Sequence, residues 1–385
     1  MEFYFFHLMP WPYLPSDFAT TEPSAWVTFS NSHYDPVVGH DLYNRYLDEL
    51  EYAEELGFDG ICVNEHHQTT YGTMPSPNVV AGMLARRTRR TKIAILGNGL
   101  PLRDHPLRVA EEVAMLDVVT GGRVISGFVR GIGCEYHSFS LNPAHSRERF
   151  LEAHELIVRA WTEPGPFHFH GKYYRFRYVN VWPRPLQQPH PPIWIPSQGS
   201  TETIDWSAEH RYPYLQTFNT LATLRRNLGL YREAARNCGY EAPPSQLGWA
   251  VPIYVAPTDE EARAQAKPHI EFFFNCLLRY PPEYGFPPGY LTERSMAAVL
   301  AQKVGDRQAN RTFEAMDAEG YIIAGSPSTV TRRLAEAQAD IGYGLLVPFL
   351  QFGSLPADLT KRNMELFARE VMPALRPLGA VATPA

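Results

Sequence analysis

Short apolar runs and longer segments of helical spacing alternate along this chain, and eight such runs can be marked out. They are Glu2 to Met9, a run opening at Gly60, Thr91 to Asn98, Arg123 to Val129, Pro192 to Pro196, Tyr214 to Phe218, Leu247 to Val255 and Leu345 to Phe352. Continuous apolar runs read as parallel strands covered on both faces, because helical crossovers bury each side of the sheet. Between and after them the spacing predicts helices over 41–56, 77–90, 106–119, 146–161, 201–210, 221–237, 259–278, 326–339 and 355–372. Strand–helix alternation is the mark of an α/β fold, and eight parallel strands close into a (β/α)8 TIM barrel. The expectation is a single domain spanning 1–385, with insertions at about 11–40, 163–191 and 280–325 at the C-terminal face. The second insertion has the composition of a small hairpin. Connections this long in a compact domain are usually functional.

In such a barrel, chemistry sits where strands end. The run Gly60-Ile61-Cys62-Val63 stops at Asn64 and then at one acid and two histidines, Glu65-His66-His67. Neighbouring strand residues point to opposite faces, so only one of the two histidines can look into a site. Structural hydrogen bonding is an equal reading of the pair, and no H-E-x-x-H spacing supports a metal. Arg130 directly follows the fourth run and could hold a phosphate or pair with a neighbouring loop. Gly199-Ser200-Thr201-Glu202-Thr203 leaves the fifth run and opens a helix, where free N–H groups and hydroxyls suit an anion; simple capping by Ser200 is the alternative. Phe6, Trp11 and Tyr136 would suit a flat apolar substrate, or core packing. No nucleotide-binding P-loop and no G-x-S-x-G elbow is present.

A formal charge of −6 argues against nucleic-acid binding, and the four cysteines, Cys62, Cys134, Cys238 and Cys276, lack CxxC spacing. No run approaches the ~18 apolar residues of a membrane span, and the start of the chain lacks the pattern of an export signal. The expectation is a cytoplasmic protein with reduced thiols.

Further motifs carry a resemblance. They are Leu102-Arg103-Asp104-His105-Pro106-Leu107-Arg108, Gly121-Gly122-Arg123, Gly127-Phe128-Val129-Arg130-Gly131, Ser146-Arg147-Glu148-Arg149-Phe150, Pro189-His190-Pro191-Pro192-Ile193-Trp194 and Gln351-Phe352-Gly353. Together with Glu65-His66-His67 they run in order over nearly the whole chain, which resembles the bacterial luciferase-like flavin monooxygenases. The resemblance implies a two-component monooxygenase. A separate NAD(P)H:flavin reductase would supply reduced FMN, and O2 would give a flavin C4a-hydroperoxide that oxygenates an organic, apolar or aromatic substrate. It maps the catalytic histidine onto His66 and phosphate binding onto Arg130, Ser200 and Thr203. Gly97-Asn98 falls where the family carries a non-proline cis peptide under the flavin ring. Gly199 stands where the family has a glutamate, leaving part of the phosphate contact to backbone. Val129 stands where bacterial luciferase has a reactive cysteine, which argues against light emission. The same architecture serves deazaflavin-dependent hydride transfer and flavin binding without turnover, and a homodimer is compatible with it.

Overall fold

The computed structural model describes residues 1–293 and 311–379. Its strands are β1 (Glu2–Phe6), β2 (Gly60–Val63), β3 (Lys92–Gly99), β4 (Val124–Val129), β5 (Phe167–His170), β6 (Arg175–Val179), β7 (Ile193–Ser197), β8 (Tyr214–Thr217), β9 (Leu247–Val255), β10 (Ile323–Gly325) and β11 (Leu345–Phe349). The order β9-β11-β1-β2-β3-β4-β7-β8 closes through a β8–β9 pairing, and every pair in it is parallel. This is the expected (β/α)8 barrel. The 163–191 excursion holds the antiparallel pair β5–β6.

Strand periodicity sorts the core in two. Phe3, Phe5, Ile61, Ile93, Ile95 and Val124 belong to one cluster together with helix residues such as Leu50, Leu84 and Val113. Their neighbours Tyr4, Cys62, Ala94, Ile125, Trp194 and Val347 form part of the other, inside the barrel. Alternate residues therefore face the helix layer and the barrel interior, as the pleat requires. Burial of this kind is worth about 25 cal/mol per Å² of apolar surface removed from water.

Several boundaries differ from the sequence reading. The helix expected from Asp41 runs over Pro36–Glu55, because Asp35 caps Val37 N–H at 2.8 Å and Pro36 occupies its first turn. The segment expected as one helix over 259–278 is α-helical over Asp259–Phe272, with Pro268 inside it, and continues as a π-turn over Phe273–Leu277. Strand β10 was not anticipated within 280–325; it pairs with β9 outside the barrel. Residues 294–310 of that insertion lie outside the described residues. No described helix is long and apolar enough to cross a membrane.

Candidate active site

A cavity of about 360 Å³ opens where β1, β2, β3, β4, β7 and β8 end. Six of the residues singled out from the sequence as catalytic or cofactor-binding line it: His66, Gly97, Arg130, Gly199, Ser200 and Thr203. Phe6 lines it as well. Asn98, Trp11 and Tyr136 do not.

The reasons for these three are local. The β3–β4 register shifts between Ile95 and Asn98, and Asn98 comes to lie opposite Phe128 with no exposed surface. The non-proline cis bond joins Leu96 to Gly97, one residue before the Gly97-Asn98 step. Trp11 donates to the Tyr13 carbonyl at 3.1 Å and packs against Tyr34, 4.5 Å between rings. Tyr136 sits behind Arg130: its hydroxyl donates to the Arg130 carbonyl and its ring lies 5.6 Å from Tyr290.

One end of the cavity is cationic. Arg130 Nη1 donates to Ser146 Oγ at 3.3 Å and to the Tyr290 carbonyl at 3.2 Å, with the guanidinium 4.6 Å over the Tyr290 ring. Its Nε and Nη2 have no hydrogen-bond partner among the described residues. Arg147 and Arg226 line the same cavity. Burial lowers the Arg147 guanidinium from its ordinary value; Glu202 opposes that and Arg130 adds to it. Beside them the Thr201–Glu209 helix begins, with Ser200 Oγ accepting from Thr203 N–H at 3.2 Å. First-turn N–H groups have no partner within their own helix and carry its positive dipole end. Glu202 is the opposing charge at this rim, accepting from Ser200 Oγ at 3.2 Å and Thr292 Oγ1 at 2.7 Å. Gly199 turns the chain into the helix with φ +110, and a Cβ there would stand 2.2 Å from Asn227 Nδ2. Only glycine adopts that backbone freely.

The other end is aromatic, with Phe6, Tyr71, Phe218, Tyr280 and Phe286 on its wall. Between the two ends the paired histidines separate. His66 lines the cavity, and its Nδ1 lies 3.0 Å from Glu135 Oε1. Glu135 is 2% exposed, and its other oxygen accepts from Ile132 N–H at 2.8 Å. A carboxylate there accepts the Nδ1 hydrogen and leaves Nε2 for the cavity. His67 Nε2 instead meets Glu65 Oε1 at 2.8 Å.

Glu65 also takes both Arg103 nitrogens at 2.7 Å and Gly99 N–H at 3.1 Å, tying the end of β2 to the end of β3. Burial alone would raise its carboxyl, but hydrogen bonds from His67 and Arg103 outweigh that and hold it at about 2. Glu135 escaped sequence reading because it lies 69 positions from His66 on the short helix Gly133–Ser138, which the alternation did not reveal.

These features suit a cofactor with an anionic tail and a flat apolar body. The unused Arg130 donors, the helix start and the surplus of arginines would hold the tail. Gly97 lets β3 approach β4 closely at the cavity wall, since a Cβ there would meet the Gly127 carbonyl at 2.7 Å.

The luciferase-like monooxygenase family model matches residues 23–343. The chain is 25% identical over 351 residues to the oxygenase component of the flavin-dependent trigonelline monooxygenase of Acinetobacter baylyi, covering 86% of this chain and 90% of that one. It is 26% identical over 348 residues to the FMNH2-dependent dimethylsulfone monooxygenase of Pseudomonas putida, covering 87% and 88%. Among solved structures, monooxygenase RslO1 from Streptomyces bottropensis matches with a TM-score of 0.72 at 25% identity, covering 97% of this chain and 99% of that one.

Proposed function

The chain belongs to the luciferase-like monooxygenase family and is a flavin-dependent monooxygenase, and from that premise we propose that it takes reduced FMN from a separate NAD(P)H:flavin reductase and uses O2 to oxygenate an apolar, aromatic organic substrate. The observation that carries this reading is convergence: His66, Arg130 and the Ser200–Thr203 pair come from three distant stretches of sequence and line one cavity.

When bound, reduced FMN supplies the electrons that activate O2, and the oxygen delivered to substrate comes from that O2. The protein's share is to bind, orient and keep dry. Arg130 and Arg147 would neutralise the phosphate, and the N–H groups of Ser200 and Thr201 with the hydroxyls of Ser200, Thr201 and Thr203 would bond its oxygens. Gly199 lets the chain turn into that helix without a side chain in the way. Leu96 and Gly97 offer apolar surface and open backbone to the ring. Phe6, Phe218 and Phe286 exclude water, which strengthens every polar contact inside. His66, with Nδ1 anchored on Glu135, holds or moves a proton at Nε2.

The test is turnover under ¹⁸O2 with photoreduced FMN and a panel of aromatic compounds. One ¹⁸O atom in the product is expected. Substrate reduced by a reduced deazaflavin, without O2 consumption or label, would replace this reading with hydride transfer.

A further inference from the structure

Tyr71 is 4% exposed, lines the cavity and sits in a nest of rings: Trp26 at 5.1 Å, His66 at 4.9 Å and Phe273 at 5.4 Å. Its backbone N–H is taken by Thr69 Oγ1 at 3.0 Å, yet its hydroxyl has no hydrogen-bond partner among the described residues. A buried tyrosine hydroxyl normally finds one. Beside it His66 has Nδ1 committed to Glu135, while its Nε2 is likewise without a partner among the described residues. Two adjacent side chains thus bring unsatisfied polar ends to the aromatic half of the cavity.

Their capacities are complementary. Burial, reinforced by Tyr280 and Glu135, raises the Tyr71 phenol far above its ordinary value, so it stays protonated and donates. When the ring bonds Glu135 through an Nδ1 hydrogen, Nε2 is the nitrogen left to accept. One donor and one acceptor together read a group that both takes and gives a hydrogen. A carbonyl would satisfy Tyr71 and leave Nε2 bare; an ether would do the same. A hydroxyl satisfies both.

We propose that Tyr71 and His66 form a hydroxyl-reading pair, and that the substrate is an aromatic compound bearing a free hydroxyl, a phenol or naphthol, seated against Phe6, Tyr71, Phe218, Tyr280 and Phe286. Tyr71 donates to the hydroxyl oxygen and the hydroxyl hydrogen goes to His66 Nε2. Tyr71 is thereby a specificity-determining residue. The inference rests on the proposed monooxygenase reading only in taking this cavity as the substrate site, and it is tested without turnover.

The probes are 2-naphthol, 2-methoxynaphthalene and 2-acetonaphthone, with dissociation constants measured by equilibrium dialysis against the full chain. The wild type should bind 2-naphthol about tenfold more tightly than the methyl ether, the scale of one or two net hydrogen bonds, with the ketone between them. Tyr71→Phe should weaken all three probes, since each accepts from the Tyr71 hydroxyl, whereas His66→Phe should lose most of the preference for the naphthol over the ether. Equal affinity for naphthol and ether in the wild type, tighter binding of the ketone than of the naphthol, or no binding of 2-naphthol overturns the proposal. So does unchanged affinity for the ether and the ketone in Tyr71→Phe, or an undiminished preference for the naphthol in His66→Phe. The wild-type series stands even if Tyr71→Phe folds poorly, which far-UV circular dichroism would reveal. FMN affinity measured on the same samples reports on the monooxygenase reading separately, since the phosphate is held at the other end.

Discussion

The two ends of the cavity are built differently. The cationic end uses local devices: an arginine one step past a strand, and a glycine, a capping serine and a threonine within five consecutive residues at a helix start. The aromatic end is assembled from Phe6 at the end of β1, Tyr71 after β2, Phe218 after β8 and Tyr280 and Phe286 from an insertion. A phosphate demands a fixed constellation of donors, which backbone geometry supplies cheaply. An apolar body demands only surface, which any segment reaching the rim can contribute. The two ends should therefore fail separately when mutated.

The largest expected effect lies in the wall that joins them. The Glu65 carboxyl sits at about 2, against an ordinary 4.5. Its folded value is depressed, so its stabilisation is fully present above about pH 4.5 and is lost as pH falls toward 2. The shift corresponds to on the order of 3 kcal/mol. Urea unfolding at pH 7, 4.5 and 3 should show that loss. Glu65→Gln, which leaves Arg103 without its anion, should be less stable at pH 7 and flatter across the series. An unchanged pH profile in Glu65→Gln would mean that the two ends are not joined through this carboxylate.

His66→Ala separates chemistry from cofactor binding. Product formation should fall roughly 100-fold, the scale of one lost general acid or base, while FMN affinity stays within about threefold. Glu135→Gln should reduce turnover less and shift its pH profile, because the amide can still meet Nδ1 without fixing the same tautomer. A fall in FMN affinity equal to the fall in turnover would merge the two ends.

Gly199→Ala acts at the cationic end alone. With φ +110 and Asn227 Nδ2 in the way, it should weaken FMN binding and lower stability by about 1–2 kcal/mol, leaving 2-naphthol affinity unchanged. The smallest effect belongs to Trp11→Phe. Trp11 packs on Tyr13 and Tyr34 and lines neither end, so turnover and FMN affinity should stay within about twofold; a larger change would extend the aromatic end to it.

The same contrast explains what could be read from the sequence. Eight apolar runs announced the barrel because fully covered parallel strands leave no polar face to blur the pattern. The cationic end was legible at Arg130 and Gly199 to Thr203 because its logic is contained within a few residues. Glu135 was not, because its meaning depends on His66, which only the folded barrel brings near. Nor was Tyr71, an ordinary aromatic in a loop until its hydroxyl is found without a partner. Trp11 shows the converse: an aromatic near a strand end is equally at home under a helix, and only packing decides. The facing of Asn98 was not legible either, since the register shift beside Gly97 breaks the alternation that would have set it.

Every contrast drawn here turns on a phosphate held at the cationic end. The most direct test is the affinity of reduced FMN against reduced riboflavin, measured anaerobically for the wild type and Arg130→Ala. The wild type should favour reduced FMN by about tenfold or more, the scale of a charge-assisted hydrogen bond, and Arg130→Ala should lose most of that preference. Equal affinities for the two flavins in the wild type would contradict the account.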